Sequence, residues 1–139
     1  MTAQVPEQLT YKGQEVDMRT QPLDQYFELA GIAPSFVAPH TANWRGYIGH
    51  WEVADDRLYL TGLRGWLGGG REVGLGALFP DFADRVFAHW YSGTISIPEG
   101  EMLEYVHMGY ASMFERDRFL EFRRGVLVKD WVRENRAEP

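Results

Sequence analysis

Residues 44–63, WRGYIGHWEVADDRLYLTGL, carry the most regular pattern in the chain and decide its fold. Two runs rich in aromatic and branched residues, 47–54 and 57–63, flank Asp55-Asp56. Aspartate tolerates the backbone angles of a tight turn, and runs of this composition favour strands. The stretch therefore predicts a β-hairpin with the two aspartates at its turn.

The turn also predicts the pairing of the two strands, because the loop fixes the register of an antiparallel hairpin. The expected pairs are Val53–Leu58, Glu52–Tyr59, Trp51–Leu60 and His50–Thr61. Side chains alternate along a strand, so the hairpin has two different faces. The apolar face, with Trp51, Val53, Leu58 and Leu60, is expected to be core. The polar face, with His50, Glu52, Tyr59 and Thr61, is expected to be a surface or a site.

The chain before this hairpin predicts a second hairpin and a helix. Short alternating runs within residues 9–18 lie on both sides of Lys12-Gly13-Gln14, a pattern typical of a small hairpin at a sheet edge. Apolar residues at helical spacing predict one short helix at about 23–30.

After the central hairpin, glycines dominate residues 64–76, which we predict to be a loop because glycine loses the most backbone entropy on ordering. Residues 79–91 fit both helical and strand spacing, and we favour a turn at 75–82 followed by a strand at 86–91. The remaining predicted elements are a strand at 94–98, a turn at 98–100, a strand at 102–114 bent at Gly109, and a hairpin at 119–131 around Arg123-Arg124-Gly125.

Together these elements predict a single mainly β domain over residues 1–139, with one or two short helical segments and frayed ends at 1–8 and 132–139. Strand signals that recur roughly every 8–12 residues are typical of antiparallel sheets that curl or double over. We expect an antiparallel curled sheet, either barrel-like or a sandwich.

Composition narrows the class of partner. The formal charge of −6 argues against nucleic acid, because proteins that bind phosphate backbones concentrate Lys and Arg. The chain has no cysteine, and no stretch approaches the ~20 apolar residues that span a bilayer. We expect a soluble cytoplasmic protein that does not contact a membrane.

His50 and Glu52 form the best candidate acid/base pair. Residues two apart on a strand lie about 7 Å from each other, so both can reach one bound molecule. A polar ladder on a solvated sheet face has the same composition, and that interpretation is favoured.

Other catalytic patterns are weaker. The four histidines lack metal-ligand spacing, so no metal and no cofactor are predicted. Ser92 follows His89 closely, but the Gly-x-Ser-x-Gly pattern of a nucleophilic serine is absent. The glycine-rich loop lacks the Gly-Lys-Ser/Thr ending of a phosphate-binding loop.

Gly49-His50-Trp51 resembles the Gly-x-Trp signature on the first strand of lipocalin-like proteins, in which a β-barrel encloses a small apolar ligand. The resemblance is an analogy for architecture and assigns no binding residue.

The aromatic content of 14%, with five Trp, favours a non-catalytic binding protein that holds a partner protein or a small apolar or aromatic ligand. The candidate ligand contacts are Tyr59, Thr61, Trp44, His89 and Tyr91. The alternative is a small hydrolase or isomerase with His50 and Glu52 as its acid/base pair, so catalysis stays an open question. A homo-oligomer formed through an edge strand is a third possibility.

Overall fold

The computed structural model describes residues 3–32, 35–82, 84–104 and 113–135. These ranges form one mixed sheet of nine strands and one α-helix, which confirms the predicted mainly β class. The strands are β1 (Glu7–Tyr11), β2 (Gln14–Met18), β3 (Tyr47–Ala54), β4 (Arg57–Leu67), β5 (Arg71–Val73), β6 (Val86–Phe87), β7 (Gly93–Glu104), β8 (Met113–Arg123) and β9 (Val126–Glu134). The helix, α1, spans Leu23–Ala30, and 3-10 turns lie at Gly68–Gly70 and Leu75–Ala77.

The central hairpin, β3 and β4, forms as predicted around its two aspartates. Asp55 and Asp56 have φ angles of 52° and 58°, the left-handed conformation that a type I′ hairpin turn requires at both central positions. Three of the predicted pairs are present, namely Val53–Leu58, Glu52–Tyr59 and Trp51–Leu60.

The fourth predicted pair is wrong because the ladder shifts between His50 and Trp51. His50 pairs with Gly62, so Thr61 is the extra residue of a β-bulge. The Thr61 hydroxyl donates a hydrogen bond to the His50 carbonyl at 3.0 Å. The bulge therefore keeps the apolar face of the hairpin in register while displacing one polar position.

The sheet is mixed, which corrects the expectation of a purely antiparallel one. Its strand order is β2-β1-β3-β4-β9-β8-β7, with β5 and β6 also paired to β4. β1 runs parallel to β3, whereas every other pair is antiparallel. The long connection 19–46, which contains α1, brings the chain back on the other side of β1 and makes this parallel neighbour possible.

The two ends of the sheet meet without closing it. The residue after β2, Arg19, donates its backbone N–H to the Ser96 carbonyl of β7 at 2.8 Å. At the middle of the strand order, β4 and β9 are joined by a single bridge between Arg57 and Val126. The sheet is therefore strongly curled but is not a closed barrel.

The inner face of this curled sheet holds the core, and Trp51 is 1% exposed within it. Burying an aliphatic or aromatic side chain stabilises a fold by about 1.5–3 kcal/mol. The helix α1 adds Leu23 and Phe27 to this face, and Gly31 ends it in the left-handed conformation. Other large buried side chains are Tyr47, Leu9, Leu58, Leu60, Ile95, Ile97, Leu120 and Phe122.

Several predicted boundaries need correction. β4 continues to Leu67, and the chain reverses through Gly68–Gly70 into β5, so the predicted loop at 64–76 contains a hairpin. The predicted strand at 86–91 is only β6, because the chain turns at His89 and Trp90.

The later strands also differ from the prediction. β7 does not end at the predicted turn of 98–100 but continues through a register shift between Glu99 and Met102. The predicted bend at Gly109 lies outside the described residues. β1 begins at Glu7 and β9 reaches Glu134, so these parts of the predicted frayed ends are in strands. The hairpins of β1–β2 and β8–β9 are confirmed.

A buried ion pair anchors β1 to β3. The Glu7 carboxylate accepts hydrogen bonds from the Gly49 backbone N–H at 2.6 Å, the Trp51 indole N–H at 3.3 Å and the Arg45 guanidinium at 2.8 Å. Glu7 is fully buried. Burial raises the pKa of Glu7, and Arg45 together with the hydrogen bonds opposes that rise.

A second buried carboxylate ties β8 to the chain after β2 and to the end of β9. Asp117 accepts hydrogen bonds from Arg19, Arg133 and Asn135. Burial alone would raise the pKa of Asp117, but these three hydrogen bonds outweigh it and the pKa is lowered.

Candidate functional site

The predicted acid/base pair lies on the outer face of the sheet. His50 and Glu52 are half-buried there, and Gln8 and Thr10 of β1 pair beside them. Among the described residues, no hydrogen bond joins the side chains of His50 and Glu52. The arrangement is therefore a polar ladder along neighbouring strands, without an oriented proton-transfer partner for the histidine.

Tyr59 lies on the same outer face and is covered by a cation. The Arg85 guanidinium lies 3.9 Å from the centre of the Tyr59 ring, and the Phe87 ring lies 5.7 Å away. Thr61 is exposed at the bulge. These contacts occupy the aromatic face of Tyr59 with side chains of the protein itself.

The other predicted ligand residues differ in exposure and do not form one surface. Trp44 is exposed in the segment before β3. Tyr91 is 3% exposed and packs against Phe122 in the core, where burial raises its pKa to about 12. As a core residue, Tyr91 does not belong to an exposed binding surface. His89 is exposed at a turn next to the buried Trp90.

His89 borders a groove between α1 and the β8–β9 turn, and this groove is the stronger candidate site. Its volume is about 580 Å³, within the range of roughly 300–1,000 Å³ that small-molecule pockets occupy. We name it the α1 groove. Its lining residues are Tyr26, Leu29, Ala30, His89, Trp90, Ser92 and Arg124.

The rings of Tyr26 and Trp90 form the floor of the α1 groove, and the buried Phe79 packs against both from the core. The Tyr26 ring lies 4.8 Å from that of Phe79 and 5.0 Å from that of Trp90, and the rings of Phe79 and Trp90 are stacked at an angle of 10°. The Trp90 indole N–H donates to the Pro22 carbonyl at 3.0 Å. Packing and this hydrogen bond fix the orientation of the floor.

The polar rim of the groove is also fixed. The Gln25 side-chain amide donates to the Ser92 carbonyl at 2.8 Å and accepts from the Ser92 backbone N–H at 3.0 Å. The Ser92 hydroxyl accepts from the Arg124 backbone N–H at 2.9 Å. The helix, the 89–92 turn and the β8–β9 turn are therefore locked together around the groove.

A smaller cavity of about 130 Å³ lies between the inner faces of β1–β2 and β7–β8. Its charges are satisfied by one another, since Arg118 pairs with Glu99 at 2.7 Å and with Asp130 at 2.6 Å. The Tyr11 hydroxyl donates to Asp130. Burial and this hydrogen bond raise the pKa of Tyr11 to about 12. The closed network indicates a structural role for this cluster.

The described residues contain no group of three or more His, Asp or Glu side chains placed to hold a metal ion. In the same part of the chain, no helix has the length and apolarity needed to cross a membrane. A scan against protein-family models and searches of curated proteins and of solved structures gave no match to this chain.

The sequence predicts one lining residue of the groove, His89, as a ligand contact. Tyr26 falls within the predicted helix at 23–30, and Arg124 falls within the predicted hairpin turn at 123–125. Positions 26, 90 and 124 carry no common pattern that would place them together.

Proposed function

We propose that this chain is a non-catalytic binding protein that holds a small apolar or aromatic ligand in the α1 groove. The observation that carries the proposal is the fixed aromatic floor of Tyr26 and Trp90, held from the core side by Phe79, beneath a groove of about 580 Å³. Flat aromatic ligands pack well on such rings, and a preorganised floor lowers the entropic cost of binding.

Exposed apolar surface at the groove supports the same proposal. Leu29 is 72% exposed although it lines the groove, and a bound apolar molecule would remove its surface from water. Phe82 is also half-exposed and packs edge-on against Phe79, which extends the apolar surface beyond the floor.

The binding function is favoured over catalysis by the hydrogen bonds of the rim. Ser92 uses its hydroxyl oxygen to accept from Arg124, and no hydrogen bond links it to His89 among the described residues. The residues that line the groove therefore contain no hydrogen-bonded pair of nucleophile and base, the arrangement typical of acyl-transfer sites. His50 and Glu52, the alternative acid/base pair, do not line it.

Titration with indole, a neutral aromatic probe, tests the proposal. Backbone amide shifts of the ¹⁵N-labelled chain should move at 25–30 and 89–92 and stay fixed at the β3–β4 turn. Leu29→Gln should weaken binding about fivefold, since it removes roughly 1 kcal/mol of apolar contact. Val128→Gln is the matched control, because Val128 is 50% exposed on β9 and does not line the groove.

Two results would contradict the proposed site. The first is an absence of saturable shifts at 25–30 and 89–92 with millimolar indole. The second is equal weakening by Leu29→Gln and Val128→Gln, which would indicate non-specific association with apolar surface.

A further inference from the structure

We infer that the ligand of the α1 groove carries a carboxylate and that Arg124 is the residue that selects it. This inference rests on the proposed ligand-binding function and adds a chemical class to it. The α1 groove has an aromatic floor on one side and a single permanently charged side chain, Arg124, on its rim.

The backbone at Arg124 is unfavourable for arginine. Arg124 and Gly125 are the central residues of the β8–β9 turn, with φ angles of 47° and 79°. The first position of such a turn favours Asn, Asp or Gly, and a long side chain there is held in a sparsely populated conformation. The β1–β2 turn has the same conformation at Lys12-Gly13, so the backbone fixes where the Arg124 side chain begins and does not by itself mark a site.

The turn is also rigid. Its backbone is fixed by hydrogen bonds from Gly125 N–H to the Tyr91 carbonyl at 2.7 Å and from Leu58 N–H to the Gly125 carbonyl at 2.8 Å. A Cβ added at Gly125 would lie 2.6 Å from the Ala88 carbonyl oxygen, which shows how closely the turn packs on the 88–92 segment. The Cα–Cβ bond of Arg124 is therefore held in a fixed position at the edge of the groove.

Among the described residues, the Arg124 side chain has no ion-pair partner. Its guanidinium forms no ion pair with any residue of the described ranges, whereas the neighbouring Arg123 pairs with Glu121 at 3.6 Å. The lining residues of the groove include no carboxylate that would compete for it. Arg124 is therefore available to a ligand.

A carboxylate fits this guanidinium best. The planar fork of arginine donates two parallel hydrogen bonds to the two oxygens of a carboxylate. A ligand that places an aromatic or apolar body on Tyr26 and Trp90 can reach the rim with a short chain that ends in the acid. The expected class is an arylalkanoic or similar monocarboxylic acid.

Two probes of the same size distinguish the contribution of the negative charge to binding from that of the aromatic ring. 3-Phenylpropanoate and 3-phenylpropanamide share the aromatic body and chain, and differ in whether the terminal group is anionic. In amide-shift titrations of the full chain, the acid should bind about tenfold tighter than the amide, as expected for charge-assisted hydrogen bonds.

Arg124→Gln should lower the affinity for the acid about tenfold, to that of the amide, and leave the affinity for the amide unchanged. Arg123→Gln is the matched control, because it removes the same charge one residue away and should change neither affinity. Amide spectra and melting curves of both variants check that the turn is retained.

The outcomes distinguish this inference from the proposed function. If both probes bind at 25–30 and 89–92 with equal affinity, or if the two Arg variants weaken the acid equally, the carboxylate inference is wrong and ligand binding stands. If neither probe shifts these amides, the proposed function fails and the inference fails with it.

Discussion

Removing the cation of the buried Glu7–Arg45 pair should destabilise the fold strongly. Arg45→Met keeps the packing of the long side-chain stem but leaves the fully buried Glu7 carboxylate without its counterion. Breaking a buried pair by removing one partner costs about 3–5 kcal/mol, because an uncompensated charge is left behind. We expect that loss in the free energy of unfolding at pH 7.5.

The loss should depend on pH in a direction that the structure fixes. Burial already raises the pKa of Glu7, and without Arg45 the main opposing charge is gone, so the folded-state pKa rises further. A carboxyl whose pKa is raised in the folded state contributes stability below its unfolded pKa and loses it as pH rises towards the folded pKa. The penalty should therefore shrink on acidification, by up to about 1.4 kcal/mol per pH unit.

Urea unfolding of wild type and variant at pH 7.5 and pH 5.5 measures both quantities. Arg71→Met is the matched control, because Arg71 is exposed on β5 and forms no ion pair with the described residues. The control should change stability by less than about 0.5 kcal/mol at both pH values. In the double variant with Glu7→Gln, the excess pH dependence should disappear, because the group that titrates is gone.

A loss below about 1 kcal/mol at pH 7.5 would contradict this role of the ion pair, because it is too small for a broken buried pair. A loss that is the same at both pH values would contradict it as well. The second result would mean that Met fails at this position for reasons of packing and not of charge.

Three further predictions concern the hairpin and its anchors. Replacing Asp55-Asp56 by Asn-Gly should raise the unfolding free energy by about 0.5–1 kcal/mol in thermal melts, because both positions have positive φ; a decrease would contradict the turn. Gly49→Ala should destabilise the protein far more than Gly76→Ala, because a Cβ at position 49 would lie 2.6 Å from the Glu7 carboxylate whereas a Cβ at position 76 would have no atom within 4 Å. Equal melting temperatures of the two variants would contradict this expectation. Asp117→Asn should destabilise at neutral pH by about 3–5 kcal/mol, and the difference from wild type should narrow as pH falls through the lowered pKa of this carboxyl. A difference that widens in acid would contradict a stabilising role for the charged Asp117.

The central hairpin could be predicted because its information is local. Alternation of apolar residues and the Asp55-Asp56 turn together fix which residues pair, and three predicted pairs are present. The bulge at Thr61 could not be predicted, since it depends on how the ladder continues towards Gly62 and the neighbouring strand. The parallel pairing of β1 with β3 is non-local for the same reason.

The glycine-rich segment shows a different limit. Its glycines predict a loop, yet Gly65 lies in β4, and a Cβ there would approach the Phe36 ring to 2.5 Å. The residue is glycine because an aromatic ring packs directly on the backbone. Composition alone does not distinguish a glycine required for close packing from one required for a loop.

The Gly49-His50-Trp51 motif is explained by its hydrogen bonds to Glu7, which are structural and do not form a binding site. The backbone N–H of Gly49 and the indole of Trp51 both donate to Glu7, so the motif supplies two of the donors that hold a buried carboxylate between β1 and β3. His50 lies between them on the opposite face and takes no part. The regular pattern of residues 44–63 therefore reflects their structural role in β3 and β4.

The α1 groove is built from the less regular parts of the chain. Its floor and rim come from one helix, the turn at 89–92 and the turn at Arg124, each placed by hydrogen bonds to another of the three. Binding residues on loops held by a rigid sheet are common in proteins, and such residues need no periodic pattern of their own. A site of this kind becomes visible only when the scaffold has brought its distant residues together, because the positive φ of Arg124 recurs at Lys12 in the β1–β2 turn and marks a hairpin turn, not a groove.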